Sequence, residues 1–204
     1  MPWPRVVAPD WVRYRPIAHR GLHDAERPEN SLAAFEAAAQ AGHPIELDVH
    51  RSADGEVVVF HDETLQRMTG HPGAVAQTPL ATLTGLRLGD SDERIPSLHQ
   101  VLERVAGRVP VLVELKPPER AGPLEQAVCD VLARWPGDYA VQSFDPYSMI
   151  WMRRHAPHLP RGMLSGDFHD EDLPLHQRLA LRNLALAPWV RPAFVGYELW
   201  SLPY

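Results

Sequence analysis

The sequence predicts an α/β fold of the (β/α)₈-barrel type that lacks its last β/α unit at the C-terminus. Short apolar segments of strand character alternate with stretches of helical periodicity, an order typical of parallel α/β folds. About seven strand segments can be counted, one fewer than a complete barrel requires. The chain has 204 residues, of which 45% are hydrophobic and 23% charged, so it can form a substantial core.

The predicted strands are apolar runs, several of which end in polar residues. In chain order they cover residues 16–19, 45–49, 56–61, 110–116, 139–144, 161–164 and 193–197. The second run alternates strictly, which puts Glu46 and Asp48 on one face and apolar residues on the other. Asp54 and Gly55 form a hairpin-type turn signal, which predicts that the third strand follows the second directly.

The predicted helices have recognisable ends. They cover residues 30–41, 97–106, 124–135 and 173–186, and a further helix begins after residue 145. Asn30 or Ser31 caps the first helix, and Gly42 ends it. Ser97 with Gln100 forms the pattern of a capping box.

The chain is predicted to be a single domain spanning residues 1–204. Residues 62–96 are rich in Gly, Pro and Thr, show weak periodicity and are too long for an ordinary connection. We therefore expect a small insertion over 62–96. Residues 1–14 are aperiodic, and we expect them to pack across one end of the fold.

Composition excludes several classes of partner. The formal net charge is −6, whereas nucleic-acid binders carry clustered basic residues. No apolar run approaches the roughly 20 residues that a membrane span requires. Cys129 is the only cysteine, and the start of the chain has no signal-peptide pattern, so we expect a reducing, cytoplasmic location.

Polar residues cluster where the predicted strands end. They are His19, Arg20, Glu46, Asp48, His61, Glu114 and Lys116. In a parallel barrel the C-terminal strand ends meet at one face, where catalytic groups lie. Charged residues are costly within strands unless they are paired or bound to a metal, so their coincidence at these positions predicts a site.

These residue types suit phosphodiester cleavage. Three carboxylates converging from two strands repel one another, and a hard divalent cation, Mg²⁺ or Ca²⁺ rather than Zn²⁺, relieves that repulsion. Two histidines beside it provide a general base and a general acid near neutral pH. Arg20 offers a planar fork for a phosphate, and Lys116 offers a second positive charge.

Each feature alone also has a structural explanation. His19 with Arg20 could form an ion pair at a strand end, and Glu46 with Asp48 could form a solvated strand face. Glu114 and Lys116 could form a surface salt bridge. The joint occurrence of all these features favours the functional interpretation.

Seven short motifs occur in an order and at spacings that resemble the glycerophosphodiester phosphodiesterase family over residues 16–197. They are His19-Arg20-Gly21, Pro28-Glu29-Asn30-Ser31, Glu46-x-Asp48-x-His50, Asp54-Gly55, Val59-Phe60-His61-Asp62, Glu114-x-Lys116 and Ser143-Phe144. Each motif alone is weak, but seven in order are specific.

The resemblance implies a TIM barrel with an insertion after the third strand, which agrees with the segment 62–96. It implies hydrolysis of a small-molecule glycerophosphodiester to glycerol 3-phosphate and an alcohol. In this family a hydroxyl of the substrate attacks phosphorus, so no protein nucleophile is required. The implied roles are a divalent ion, Mg²⁺ or Ca²⁺, on Glu46, Asp48 and Glu114, acid/base catalysis by His19 and His61, and phosphate contacts from Arg20 and Lys116.

The sequence departs from the family pattern at its end. The family's final strand carries a Trp-Thr-Val-Asn-like motif, whereas this chain ends at Tyr204 without one. The expected barrel is therefore open. Either the sequence is a truncated product, or the open edge is covered by the N-terminal segment or by a second copy of the chain in a homo-oligomer. The alternative functions are a lysophospholipase D-like lipid phosphodiesterase and a catalytically impaired barrel that acts as a binding module.

Overall fold

A computed structural model describes residues 6–118, 120–169 and 173–198. Within these residues the strands are β1 (Ile45–Arg51), β2 (Val57–Val59), β3 (Val111–Leu115), β4 (Tyr139–Ser143), β5 (Arg161–Ser165) and β6 (Phe194–Tyr197). The α-helices are α1 (Asp10–Tyr14), α2 (Leu32–Gln40), α3 (Gln66–Thr69), α4 (Leu80–Leu83), α5 (Leu98–Val105), α6 (Pro123–Leu132), α7 (Pro146–His155), α8 (Leu175–Arg182) and α9 (Ala187–Val190). A short 3₁₀ helix covers Val75–Gln77.

The strands form one open sheet in the order β2-β1-β3-β4-β5-β6. β1 and β2 are antiparallel, as the turn at Asp54-Gly55 predicts, and the remaining neighbours are parallel. The register places Asp48 beside Glu114, and Glu114 beside Gln142. Laterally paired residues point to the same face of a sheet, so this register aligns polar side chains from three strands.

The predicted strand over 16–19 is wrong in extent, because only Ala18 pairs with the sheet, through a parallel bridge to Ile45. Its N–H donates to Pro44 O at 2.8 Å, and its carbonyl accepts from Glu46 N–H at 2.9 Å. Pro16 has no N–H to donate, and Arg20 has a φ of 55°, so the chain leaves the sheet on both sides of this residue. Similarly, the strand predicted over 56–61 is limited to β2.

The helix ends follow the sequence signals in most places. Ser31 caps α2 by accepting from Ala34 N–H at 3.1 Å, and the Ser97–Gln100 capping box starts α5. The helix predicted over 173–186 is instead two helices, α8 and α9. Leu184, between them, has a φ of 53°, which an α-helix cannot accommodate.

The main core lies between the sheet and helices α2, α5, α6 and α7. Ile45, Leu47 and Val49 contribute to it from β1, so the intervening acids point to the opposite, inner face. Toward the N-terminal ends of the strands, Trp11 of α1 packs against Leu112 and Ala140 on that inner face.

The segment 62–96 packs around a second apolar cluster. Its members are Val58, Phe60, Leu65, Val75, Leu83, Leu88 and Ile95. Val58 belongs to β2 and Phe60 follows it, so the segment is seated on the hairpin that also carries His61. Within the described ranges, no helix combines the length and apolar character needed to cross a membrane.

Candidate active site

Three buried carboxylates form the floor of the candidate site. Glu46 and Asp48 project from β1 and Glu114 from β3, with exposed fractions of 4%, 1% and 7%. One ligand atom from each lies within 4.8 Å of the others. Strand alternation places the two β1 acids on one face, and the parallel register brings Glu114 beside them.

The floor carries uncompensated negative charge. Burial and the charges of Asp48 and Glu114 raise the pKa of Glu46 well above its usual value. Burial and the charge of Asp48 likewise raise the pKa of Glu114, although Lys116 opposes this. Oε2 of Glu46 accepts from Arg20 N–H at 3.0 Å, but its buried Oε1 has no hydrogen-bond partner among the described residues. A hard divalent cation fits this donor set, because it would satisfy that oxygen and offset the repulsion.

Two cationic side chains border the floor. Lys116 Nζ lies 2.7 Å from Glu114 Oε1 and 3.3 Å from Asp48 Oδ1. Burial alone would lower the pKa of Lys116, but these two carboxylates raise it. Arg20 Nε lies 3.4 Å from Asp48 Oδ2. Both predicted phosphate-binding residues therefore lie at the floor formed by the three carboxylates.

Backbone geometry at residue 21 brings Arg20 to this position. Gly21 has a φ of 82°, and a Cβ added there would lie 2.8 Å from backbone and side-chain atoms of Ala34 in α2. Only glycine allows this conformation at that distance from the helix. The turn therefore aims the Arg20 backbone N–H at Glu46, as described above.

His61 is oriented by its neighbour. Its Nδ1 lies 2.7 Å from Oδ1 of Asp62, and its carbonyl oxygen lies 3.0 Å from Nε2 of His50. The side chain of Arg67 holds the pKa of Asp62 at about 2, against the opposing effect of burial, so this carboxylate accepts at neutral pH. His61 must then donate from Nδ1, which leaves Nε2 for chemistry.

His19 follows directly after Ala18 and keeps only part of its surface in contact with solvent. Partial burial of the imidazole and the charge of Arg20 lower its pKa, while Asp48 opposes the shift. A lowered pKa favours the neutral form near pH 7, which can accept a proton.

Three polar residues that contact these groups were missing from the predicted set. Asn30, expected first as a helix cap and second as an amide that touches the site, donates from its amide to Asp48 Oδ2 at 2.9 Å. Glu29 accepts from Arg20 Nη1 at 3.1 Å. Arg67, from α3, forms ion pairs with both Glu29 and Asp62. Glu29 and Asn30 lie in a recognised motif, but Arg67 lies in the segment 62–96, where the sequence offered no signal.

The chain is also similar to known proteins. A sequence model described as the glycerophosphoryl diester phosphodiesterase family matches residues 19–192. The chain belongs to this family. It is 34% identical over 185 residues to a glycerophosphodiester phosphodiesterase of Caldanaerobacter subterraneus, with 85% of this chain and 74% of the relative covered.

Other matches extend the comparison. A Bacillus subtilis relative is 35% identical over 159 residues, and the chain spans 65% of that relative's length. A solved phosphodiesterase from Oleispira antarctica, in complex with the product sn-glycerol-3-phosphate, superposes with a TM-score of 0.70 at 26% identity. That superposition covers 92% of this chain and 94% of the other. The predicted family, its phosphodiesterase class and the incomplete barrel fold are thereby confirmed.

Proposed function

We propose that this protein hydrolyses glycerophosphodiesters to glycerol 3-phosphate and an alcohol at a divalent cation held by Glu46, Asp48 and Glu114. The observation that carries the proposal is the convergence of these three carboxylates within 4.8 Å, one of them with an unpartnered buried oxygen. Membership of the family and the product bound to the Oleispira relative support the substrate class.

The donor set favours Mg²⁺ or Ca²⁺, because all three candidate ligands are carboxylate oxygens. Such an ion would polarise a phosphoryl oxygen and offset charge that develops on it. Arg20 and Lys116 border the same floor, so their positive charges would contact the remaining phosphate oxygens and orient the diester.

The two histidines would supply proton transfer. His19 has a lowered pKa and suits the role of general base toward the attacking hydroxyl of the substrate. His61, held through Nδ1 by Asp62, would present Nε2 to the leaving alcohol as the general acid. Water would then add to the phosphorus of the resulting cyclic phosphodiester, and cleavage of its new P–O bond would give glycerol 3-phosphate. Burial of the acids keeps the floor at low dielectric, which strengthens each of these interactions.

Release of glycerol 3-phosphate from glycerophosphocholine tests the proposal. Purified protein with Mg²⁺ or Ca²⁺ should release it, EDTA should stop the reaction, and His19→Ala or His61→Ala should abolish turnover. Full activity in both variants would show that His19 and His61 are not the general base and general acid. Full activity in EDTA would show that the reaction does not require a divalent cation.

Two other outcomes would select the alternatives. Turnover restricted to lysophospholipids would favour the lysophospholipase D-like function. Metal binding without turnover on a panel of glycerophosphodiesters would favour the binding module. Cytoplasmic location and self-association through the open edge stay predictions, and cell fractionation and the native mass would test them.

A further inference from the structure

Arg67 lies between two carboxylates that belong to different parts of the candidate site. Its Nε and Nη2 donate to the two oxygens of Asp62 at 2.6 and 2.8 Å. Its Nη2 and Nη1 donate to the two oxygens of Glu29 at 2.7 and 3.3 Å. Each of the two carboxylates therefore accepts two hydrogen bonds from the same guanidinium.

The first carboxylate, Asp62, accepts a hydrogen bond from His61. Oδ1 of Asp62 accepts from both Arg67 Nη2 and His61 Nδ1, while Oδ2 accepts from Arg67 Nε. A carboxylate held in a planar fork cannot rotate freely, so its Oδ1 stays directed at the imidazole. The imidazole is then fixed both in orientation and in tautomer.

The second carboxylate, Glu29, contacts Arg20, a proposed phosphate-binding residue. Oε1 of Glu29 accepts from Arg67 Nη2 at 2.7 Å and from Arg20 Nη1 at 3.1 Å. The orientation of the Arg20 guanidinium therefore also depends on the position of Arg67. A continuous chain of polar contacts runs from His61 to Arg20.

The backbone of Arg67 is held by the inserted segment. Leu65 is fully buried in the second apolar cluster, and Met68 packs against it. The Arg67 side chain is about half exposed, whereas the Glu29 and Asp62 side chains that it contacts are 16% and 21% exposed. The segment 62–96 therefore places Arg67 where one guanidinium holds both carboxylates.

We infer that Arg67 is a positioning residue that orients His61 through Asp62 and Arg20 through Glu29. The inserted segment thereby takes part in the reaction without contacting the reacting atoms. This inference rests on the proposed function for the roles of His61 and Arg20.

Kinetics of matched variants test the inference. Arg67→Gln should lower kcat/KM for glycerophosphocholine by about 10- to 100-fold, in the range found when a supporting contact is removed. Asp62→Asn should act mainly on kcat, through His61, and Glu29→Gln mainly on KM, through Arg20. Arg67→Lys should rescue only part of the loss, because an ammonium cannot form the fork.

Arg87→Gln is the matched control. Arg87 is an exposed arginine of the same segment and is paired with Asp92. Its substitution should leave kcat and KM unchanged. The double variant Arg67→Gln/Asp62→Asn should have the kcat of Asp62→Asn alone, because both act on kcat through one imidazole. Independent, multiplicative losses in kcat would overturn the inference.

A spectroscopic measurement decides the question without turnover. ¹⁵N NMR of the labelled full chain distinguishes the protonated form and the two neutral tautomers of each histidine. His61, assigned with His61→Gln, should be almost entirely Nδ1–H in the parent protein and a tautomer mixture in Arg67→Gln. An unchanged His61 spectrum in Arg67→Gln would overturn the inference. An inactive parent with the expected spectra would reject the proposed function while supporting the positioning role.

Discussion

Glu46 and Glu29 both contact Arg20, yet their pKa values shift in opposite directions. Burial and two neighbouring carboxylates raise the pKa of Glu46. Burial also acts on Glu29, but Arg67 and Arg20 outweigh it and lower its pKa. Glu46 belongs to the acidic floor, defined as Glu46, Asp48 and Glu114. Glu29 belongs to the ionic rim, defined as Glu29, Asp62 and Arg67.

The difference separates two kinds of acidic group. The rim carries its own counter-charge, because Arg67 bridges both carboxylates. The floor has Lys116 and Arg20 at its border, but these leave one buried oxygen of Glu46 without a partner. We therefore expect floor substitutions to change metal binding and rim substitutions to change turnover. The predictions below test that division.

The largest effect is expected for Asp48→Asn. Asp48 is the most buried of the floor acids and lies within reach of Asn30, Lys116 and Arg20. The substitution keeps the shape but removes the charge, so metal binding measured by calorimetry and turnover should both be lost. Asp92→Asn, at a carboxylate that is 93% exposed, is the control. Turnover at the parent rate in Asp48→Asn would place the metal elsewhere.

His61→Gln should lower kcat by about 10²- to 10⁴-fold, the usual range for a general acid or base. Because His61 is not part of the floor, affinity for Mg²⁺ measured by calorimetry should stay at the parent value. A matching loss of metal affinity would contradict the division between floor and proton-transfer groups.

Asn30→Gly should weaken metal binding by about 10- to 100-fold, because the Asn30 amide holds Oδ2 of Asp48. Asn30 has a φ of 56°, a conformation that glycine adopts readily, so this variant removes the amide without adding strain. Asn30→Ala adds strain as well and should also unfold at a lower temperature. Equal metal affinity in parent and Asn30→Gly would show that Asp48 needs no such support.

The floor could be predicted from sequence because its chemistry follows strand geometry. Alternation in β1 places Glu46 and Asp48 together on the inner face, and parallel strands bring their C-terminal ends to one edge. The register that puts Asp48 beside Glu114 is set by packing of the whole sheet. The sequence predicted the neighbourhood of these acids but not their lateral pairing.

The rim could not be predicted in the same way. Arg67 and Glu29 are 38 residues apart, and they meet only because the segment 62–96 folds back on its own apolar cluster. The break between α8 and α9 was missed for a related reason. Leu184 has a positive φ, although Gly or Asn usually occupies such a position. The sequence therefore contains no signal for this conformation, which tertiary packing sets.

The smallest expected effect is on the free energy of unfolding. Near neutral pH, removing the charge of a floor acid should raise it, and removing the charge of a rim acid should lower it. Glu46→Gln should stabilise the metal-free protein at neutral pH by on the order of 1 kcal/mol, because it removes the cost of burying an ionisable group beside Asp48 and Glu114. Urea denaturation in EDTA measures this, and Mg²⁺ should stabilise the parent protein but not the variant. Lower stability of Glu46→Gln in EDTA would contradict the proposed charge excess in the floor.

The pH dependence separates floor from rim. As pH rises above 4.5, the ordinary pKa of a glutamate, Glu46 loses its proton in the unfolded chain before it does in the folded protein, so stability falls until the raised pKa is passed. Asp62 behaves in the opposite way, because its pKa is lowered from 3.8 to about 2 and its contribution is lost as pH falls through that range. In EDTA, Glu46→Gln should therefore flatten the stability profile above pH 4.5, and Asp62→Asn should flatten it below 3.8. Profiles that flatten in the same range would show that the two regions do not differ in charge compensation.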